Sequence, residues 1–144
     1  MLLTDAEATL VAQAATLARE HITPHAARWE HERRIGHEAL ARAVELGLTR
    51  LQVPVEQGGL GASFSCKAAL TEVLAAGDFG FAMSWVNTAN IAAKLAKDAP
   101  PHLAARYLPD LIAARRLGCT ALTEPGAGSD FAAITTLATK VDGG

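Results

Sequence analysis

The chain has 144 residues and a formal net charge of −2 at pH 7, and half of its residues are hydrophobic, which is enough for one domain with a sizeable core. Positive charge forms no run longer than the pairs Arg33–Arg34 and Arg115–Arg116, which argues against a nucleic acid or an anionic membrane as the main partner. No basic-then-apolar leader opens the chain and its longest uncharged run contains polar residues, so we expect a cytoplasmic protein without a membrane span.

Helical spacing of apolar residues dominates the first part of the chain. The predicted helices cover residues 4–20, 25–34, 37–46, 64–76 and 81–97, and a last one begins at the prolines 100–101 with an apolar stripe from 103 to 112. Thr4 and Glu7 have the spacing of a capping box, and Pro24 is expected to break or kink the chain. The helix over 81–97 is long and apolar, so we expect it to lie centrally.

A loop is predicted before the fourth helix, because Pro54 and three glycines fall within residues 54–61. Gly47 is suited to end the third helix in a left-handed conformation. The fourth helix is expected to bury the face that carries the following residues: Ala68, Ala69, Val73 and Ala76.

The character of the sequence changes after the last helix. Residues 117–124 predict a strand that ends in the turn-forming residues 125–130, and residues 135–141 predict a second strand before the hairpin-turn dipeptide Asp142–Gly143. We therefore expect a mainly α protein. Its predicted parts are an up-down helical domain at 1–116 and the first strands of an incomplete, truncated β-barrel domain at 117–144.

The turn at 125–130 is the stretch best suited to binding chemistry. Gly126 and Gly128 can present backbone N–H groups with no Cβ in the way, and Ser129 adds a hydroxyl group. Successive exposed N–H groups form a concave anion site, for which phosphate is the natural ligand. An ordinary glycine-rich turn between strands is the alternative interpretation.

Three stretches in order resemble the acyl-CoA dehydrogenase family. Residues 4–29 are similar to the family's first helix and its proline-containing end, and residues 47–61 resemble its V-P-x-x-x-G-G-x-G loop. Residues 106–130 resemble the family's fifth helix running into the first strand of its middle β domain. Within that stretch, L-T-E-P-G-A-G-S-D resembles the family's flavin-contacting signature.

The resemblance implies FAD as the cofactor. Leu122 and Thr123 would contact the isoalloxazine ring, Gly128 and Ser129 would lie near the pyrophosphate, and Ser129 would also touch the acyl-CoA. The implied cofactor-binding residues are Thr120, Ala121, Leu122, Thr123, Gly128 and Ser129. Asp130 is expected to cap the turn that follows it.

No catalytic residue is predicted in this chain, because the family's catalytic glutamate comes from much later and Glu124 is not expected to replace it. No metal site is predicted either, since His21 and His25 flank a proline that disfavours a regular helical pair. Cys66 and Cys119 have no C-x-x-C spacing, which favours reduced thiols packed in a cytosolic core.

The region that matches residues 81–93 helps to wall the acyl pocket in the family. Its candidate residues are Trp85, Asn87, Thr88 and Asn90. The alternative is that their polar groups meet solvent or a neighbouring subunit.

The resemblance implies a fragment or subunit of an FAD-dependent dehydrogenase that acts on acyl-CoA or a carrier-bound acyl thioester, in a homo-oligomer or with a complementing chain. The catalytic base and the second flavin motif of the family would lie beyond this chain. The alternative, from a different class, is a non-catalytic interaction module or split-enzyme half. It would use an unpaired strand edge to bind the partner that completes the flavin site.

Overall fold

A computed structural model describes residues 2–142 of the protein, and the predicted turn dipeptide at 142–143 lies partly outside that range. The helices are α1 (Asp5–Leu17), α2 (Ala26–Glu32), α3 (His37–Glu45), α4 (Phe64–Gly77), α5 (Phe79–Asp98) and α6 (Pro101–Ile112). Shorter turns are a π-helical one at Ala18–Ile22 and 3₁₀ turns at Thr23–His25, Leu48–Arg50, Val55–Gln57 and Phe131–Ala133. The mainly helical prediction is confirmed. No helix within residues 2–142 has the length and hydrophobicity that a membrane crossing requires.

The predicted capping box at the start of α1 is confirmed. The Glu7 amide donates to Thr4 Oγ1 at 3.2 Å and the Thr4 amide donates to Glu7 Oε2 at 2.9 Å. The other carboxylate oxygen of Glu7 accepts from the Ser63 amide at 2.8 Å, next to the start of α4. Hydrogen bonds from Ser63 and Thr4 lower the pKa of Glu7 to about 2. One ionised side chain thus ties the starts of two helices together.

Pro24 acts by changing the kind of helix. α1 ends at Leu17, seven residues before the proline, and the chain continues through the π-helical turn and a 3₁₀ turn into α2. Proline has no N–H to continue the α-helical pattern and its ring crowds the preceding turn. The wider turn before the proline and the tighter turn that contains it accommodate that mismatch.

α5 lies at the centre of the helical body, which we define as residues 5–112, as predicted, and it packs against both α4 and α6. Its buried residues include Phe81 and Trp85, the two largest side chains that are fully buried. The Trp85 indole N–H donates to the Leu48 carbonyl oxygen at 3.0 Å, which fixes the rotation of α5 about its own axis.

The predicted buried face of α4 is wrong in part, because Val73 is half-buried and packs against the core but two of the predicted alanines do not. Ala68 and Ala76 are exposed, and the residues that α4 buries are Cys66, Leu70 and Leu74. Alanine and leucine stripes both recur with helical spacing on α4, but burial of a leucine removes far more apolar surface from water. The helix therefore turns its leucines towards the core and leaves alanines in solvent.

The predicted loop before α4 is confirmed, but much of its first part is buried. Leu51 and Val53 are fully buried, and the chain folds back on them, with the Gly61 amide donating to the Val53 carbonyl oxygen at 3.0 Å. A Cβ on Gly59 would lie 1.8 Å from that same oxygen. The glycines of this motif therefore allow close packing of one backbone segment against another.

Neither predicted strand forms a ladder among residues 2–142. Residues 117–123 and 134–141 are irregular, and the one β-bridge in the described range joins Glu124 to Ala127 within a turn. A strand needs a neighbour for its backbone hydrogen bonds, and these two stretches do not pair with each other.

We predict that Gly59→Ala destabilises the protein by about 3 kcal/mol or more, because the added Cβ would overlap the backbone of Val53 and force the loop to shift. The matched control is Gly126→Ala, where an added Cβ meets nothing within 4 Å and the expected change is under about 0.5 kcal/mol. Urea unfolding followed by tryptophan fluorescence measures both, and equal midpoints for the two variants would contradict the prediction.

Candidate functional site

The candidate site is the segment of residues 117–136, which leaves the helical body after α6. Among the described residues, one hydrogen bond joins residues 117–142 to the helices, from the Gly118 amide to Thr88 Oγ1 on α5 at 3.0 Å.

The two cysteines differ in exposure. Cys119, the residue after Gly118, is exposed, which corrects its predicted place in the core. Cys66 is buried as predicted, and burial raises the pKa of its thiol.

All six predicted cofactor-binding residues lie on this segment and are exposed. They form two groups close in sequence, Thr120–Thr123 and Gly128–Ser129, separated by a turn. Within residues 2–142 the hydroxyl groups of these residues make no hydrogen bond, and nearly half of the Leu122 side chain is accessible. The segment therefore presents apolar surface and unpaired polar atoms side by side.

The turn between the two groups closes on itself. The Glu124 amide donates to the Ala127 carbonyl oxygen at 2.9 Å and the Ala127 amide donates back at 3.2 Å. Ala127 is buried, whereas a Cβ on Gly126 or Gly128 would meet nothing within 4 Å. The N–H groups of Gly126, Gly128 and Ser129 have no acceptor among the described residues, a feature of anion-binding turns.

The Glu124 carboxylate holds the far end of the segment. Its Oε2 accepts from the Thr135 amide and hydroxyl at 3.0 Å each, and its Oε1 accepts from the Thr136 amide at 2.8 Å and from the Thr136 hydroxyl. These hydrogen bonds, led by the Thr136 hydroxyl, lower the pKa of Glu124 to about 2. An ionised carboxylate with four donors is a poor proton acceptor.

The role of Thr135 and Thr136 was not predicted from sequence. Both threonines were assigned to a strand, and no local pattern marks a pairing over eleven or twelve residues. The predicted cap is confirmed, because the Asp130 side chain accepts from the Ala132 amide at 3.1 Å.

The four polar candidates on α5 divide into a fully buried pair and a more accessible pair, in which Asn87 is half-buried and Asn90 is exposed. Trp85 and Thr88 are fully buried and bonded to other parts of the fold. Asn87 donates to the Met83 carbonyl oxygen at 2.9 Å, and Asn90 accepts from Lys67 Nζ at 3.0 Å at the surface. Two of these residues therefore hold the framework and two are available to a neighbour.

Comparison with known proteins identifies the class. The family described as "Acyl-CoA dehydrogenase, N-terminal domain" matches residues 4–115. The chain belongs to the acyl-CoA dehydrogenase family, and the matched part is its amino-terminal helical domain.

The relatives that the chain resembles are named for different acyl-CoA compounds. The chain is 29% identical to isobutyryl-CoA dehydrogenase of Dictyostelium discoideum, with 96% of this chain and 33% of the relative covered. It is 32% identical to benzylmalonyl-CoA dehydrogenase of Aromatoleum aromaticum, with 99% and 38% covered. Among solved structures it is similar to butyryl-CoA dehydrogenase of Megasphaera elsdenii, at 25% identity and a TM-score of 0.82, with 99% and 38% covered. The chain thus spans 33% to 38% of the length of these proteins.

We predict that the Glu124 contacts persist in mild acid. The folded-state pKa of about 2 lies below the ordinary value of 4.5, so the stability that these contacts add is present above pH 4.5 and is lost as the pH falls through about 2. The amide signals of Thr135 and Thr136 should shift with that midpoint in an NMR pH titration.

The same titration has two matched variants. Glu124→Gln removes the titrating group and should abolish the transition near pH 2 at both threonine amides. Glu7→Gln removes the other carboxylate of similarly low pKa and should leave that transition unchanged. A Thr136 transition near pH 4.5 in the wild-type protein would contradict the prediction.

Proposed function

We propose that this chain supplies the amino-terminal helical part and one wall of the flavin site in an FAD-dependent acyl-thioester dehydrogenase, which removes hydrogen from the α and β carbons of its substrate. Family membership supports this proposal. The observation that carries it is the exposed segment at 120–129, where unpaired N–H and hydroxyl groups adjoin an accessible leucine. That combination suits a cofactor with a flat aromatic ring and a charged diphosphate.

The residues of the segment fit the cofactor. Leu122 offers apolar contact to a ring, and Thr123 offers a hydroxyl group with no partner within residues 2–142. Gly128 and Ser129 present N–H groups to the diphosphate, with no side chain close to the glycine. When bound, FAD would supply the hydride acceptor for the hydrogen on the β carbon. The chain's own residues bind and orient it.

The proposed substrate is an acyl-CoA or a carrier-bound acyl thioester. Relatives named for isobutyryl-CoA, benzylmalonyl-CoA, butyryl-CoA and glutaryl-CoA support the thioester class without selecting one acyl group. The exposed hydroxyl of Ser129 is the group in this chain that we assign to substrate contact. We place the reaction in the cytoplasm.

Removal of the α proton needs a base that this chain is not proposed to supply. Glu124 is ionised with four hydrogen-bond donors around it, and its pKa of about 2 makes it a weak base. We assign proton removal to a carboxylate elsewhere in the assembled enzyme. Another copy of the chain, or a complementing chain, would complete the site.

A second candidate function is a non-catalytic interaction module. Five large apolar side chains between residues 117 and 141 are from 47% to 89% exposed. They are Leu117, Leu122, Phe131, Leu137 and Val141. A partner that covers them would gain their burial without any cofactor. Flavin content separates the two functions.

We predict that the purified protein binds FAD in a stoichiometric ratio, seen as a yellow flavin absorption that heat releases. Gly128→Val should raise the FAD dissociation constant at least about tenfold, equal to about 1.4 kcal/mol, because the new side chain projects from the proposed diphosphate site. Ala133→Val is the matched control, since Ala133 is also exposed but lies outside residues 120–129, where the flavin contacts are proposed.

The result has two ways of contradicting the proposal. Absence of bound FAD, even after addition of a large excess, would rule out a flavin site formed by this chain or its homo-oligomer and favour the interaction module. FAD binding of equal strength in the wild-type protein and Gly128→Val would place the cofactor elsewhere on the chain.

A further inference from the structure

The orientation of the candidate segment depends on a single polar contact. Of the hydrogen bonds and ion pairs within residues 2–142, the one from the Gly118 amide to Thr88 Oγ1 alone joins residues 117–142 to the helices. It lies two residues before Thr120, where the proposed flavin contacts begin. A shift at this point therefore moves everything that follows.

Thr88 is well fixed as an acceptor. Its side chain is fully buried, and its own hydroxyl donates to the Ser84 carbonyl oxygen at 2.8 Å. That bond directs the hydroxyl hydrogen back along α5 and leaves a lone pair for Gly118. A β-branched side chain in a helix also has few rotamers, so the direction of the acceptor varies little.

Gly118 meets α5 at a second point. A Cβ on Gly118 would lie 2.8 Å from Cβ of Ile91 and 3.0 Å from its Cγ1, closer than atoms of that kind approach. Ile91 is one helical turn beyond Thr88. The hydrogen bond and the close approach are separate observations, and together they set one register for the backbone at Gly118 on α5.

α5 is itself prevented from turning. The Trp85 indole, one turn before Thr88, donates to the buried Leu48 carbonyl oxygen. Thr49, the residue after Leu48, donates through its hydroxyl to the Ile112 carbonyl oxygen at the end of α6. The position of Thr88 is therefore fixed relative to the turn at Leu48–Arg50 and to the end of α6.

We propose that Thr88 is a positioning residue for the flavin: through Gly118 it sets the register at which residues 120–129 meet the cofactor. The inference rests on the proposed function. At about 3.3 Å per residue, Thr120–Thr123 lie within roughly 7 to 17 Å of Gly118 along the chain, a span comparable to a flavin ring system. A buried threonine outside the flavin motif thereby controls the placement of the cofactor against the helical wall.

The test compares three substitutions in the FAD-loaded protein. Thr88→Val keeps the shape and removes the acceptor, whereas Thr88→Ser keeps the hydroxyl. Thr71→Val is the matched control, because Thr71 makes the same kind of bond to the carbonyl oxygen four residues earlier, on α4, and no bond to the segment.

Thr88→Val should raise the FAD dissociation constant about tenfold and shift the visible spectrum of the flavin that remains bound. It should also speed hydrogen exchange at the amides of residues 118–123. Thr88→Ser should restore all three properties, and Thr71→Val should leave them as in the wild-type protein. A spectral shift with restoration by serine is not expected from a general loss of stability.

If Thr88→Val does not fold, a second variant changes the other partner of the contact, Gly118. Gly118→Ala should weaken FAD binding by a similar factor, because its Cβ would overlap Ile91. Adding Ile91→Ala should restore binding by making room. Failure of the double variant to recover FAD, in a folded protein, would overturn the proposed register.

The outcomes distinguish this inference from the proposed function. A wild-type protein that binds FAD, beside a Thr88→Val variant with unchanged affinity and spectrum, overturns the positioning role alone. Faster exchange at 118–123 without any change in FAD binding also overturns it, since the contact would then be structural only. A wild-type protein that binds no FAD overturns both.

Discussion

The helical body depends on the burial of residues 48–53, a stretch outside the α-helices whose first turn, Leu48–Arg50, packs against α5 and α6. Leu48, Thr49, Leu51 and Val53 are fully buried, so water cannot satisfy the polar groups of their backbone. The fold supplies partners instead. Trp85 donates to the carbonyl of residue 48, and the glycine-rich turn after residue 57 folds back to donate to the carbonyls of residues 50, 51 and 53. The Trp85 bond, which satisfies one of these buried carbonyls, also fixes α5.

The need for hydrogen-bond partners in the buried backbone of residues 48–53 connects the interior with the candidate site. Because α5 is held at Trp85, the buried Thr88 side chain one turn later presents its oxygen to the Gly118 amide at a constant place. The segment that carries the flavin signature leaves from there with little other support. Rigidity of the site then comes from two ends, Gly118 on α5 and the Glu124 contacts farther along, while the residues between them stay accessible.

The sequence predicted the features that short-range rules decide. Thr4, Gly47 and Asp130 end or begin their turns as expected, because a cap depends on residues within about four positions. The orientation of α4 was missed, since alanines and leucines both recur at helical spacing and tertiary packing selects between them. The strands and the Glu124–Thr136 contact depend on pairing between distant residues, which local patterns do not specify. The candidate site was located through a family motif, and its chemistry remains a proposal.

The contrast between the two thiols has a practical consequence. Cys66 is shut inside the core with a raised pKa, whereas Cys119 stands in solvent between Gly118 and Thr120. A thiolate must be both formed and reachable to react, so an alkylating dye or spin label will discriminate between them. The native chain therefore offers one accessible thiol, Cys119, for attachment of a dye or spin label. This thiol lies next to Gly118, where the segment leaves the helices. Fluorescence or electron paramagnetic resonance from that position could follow the motion of the segment without any engineered cysteine.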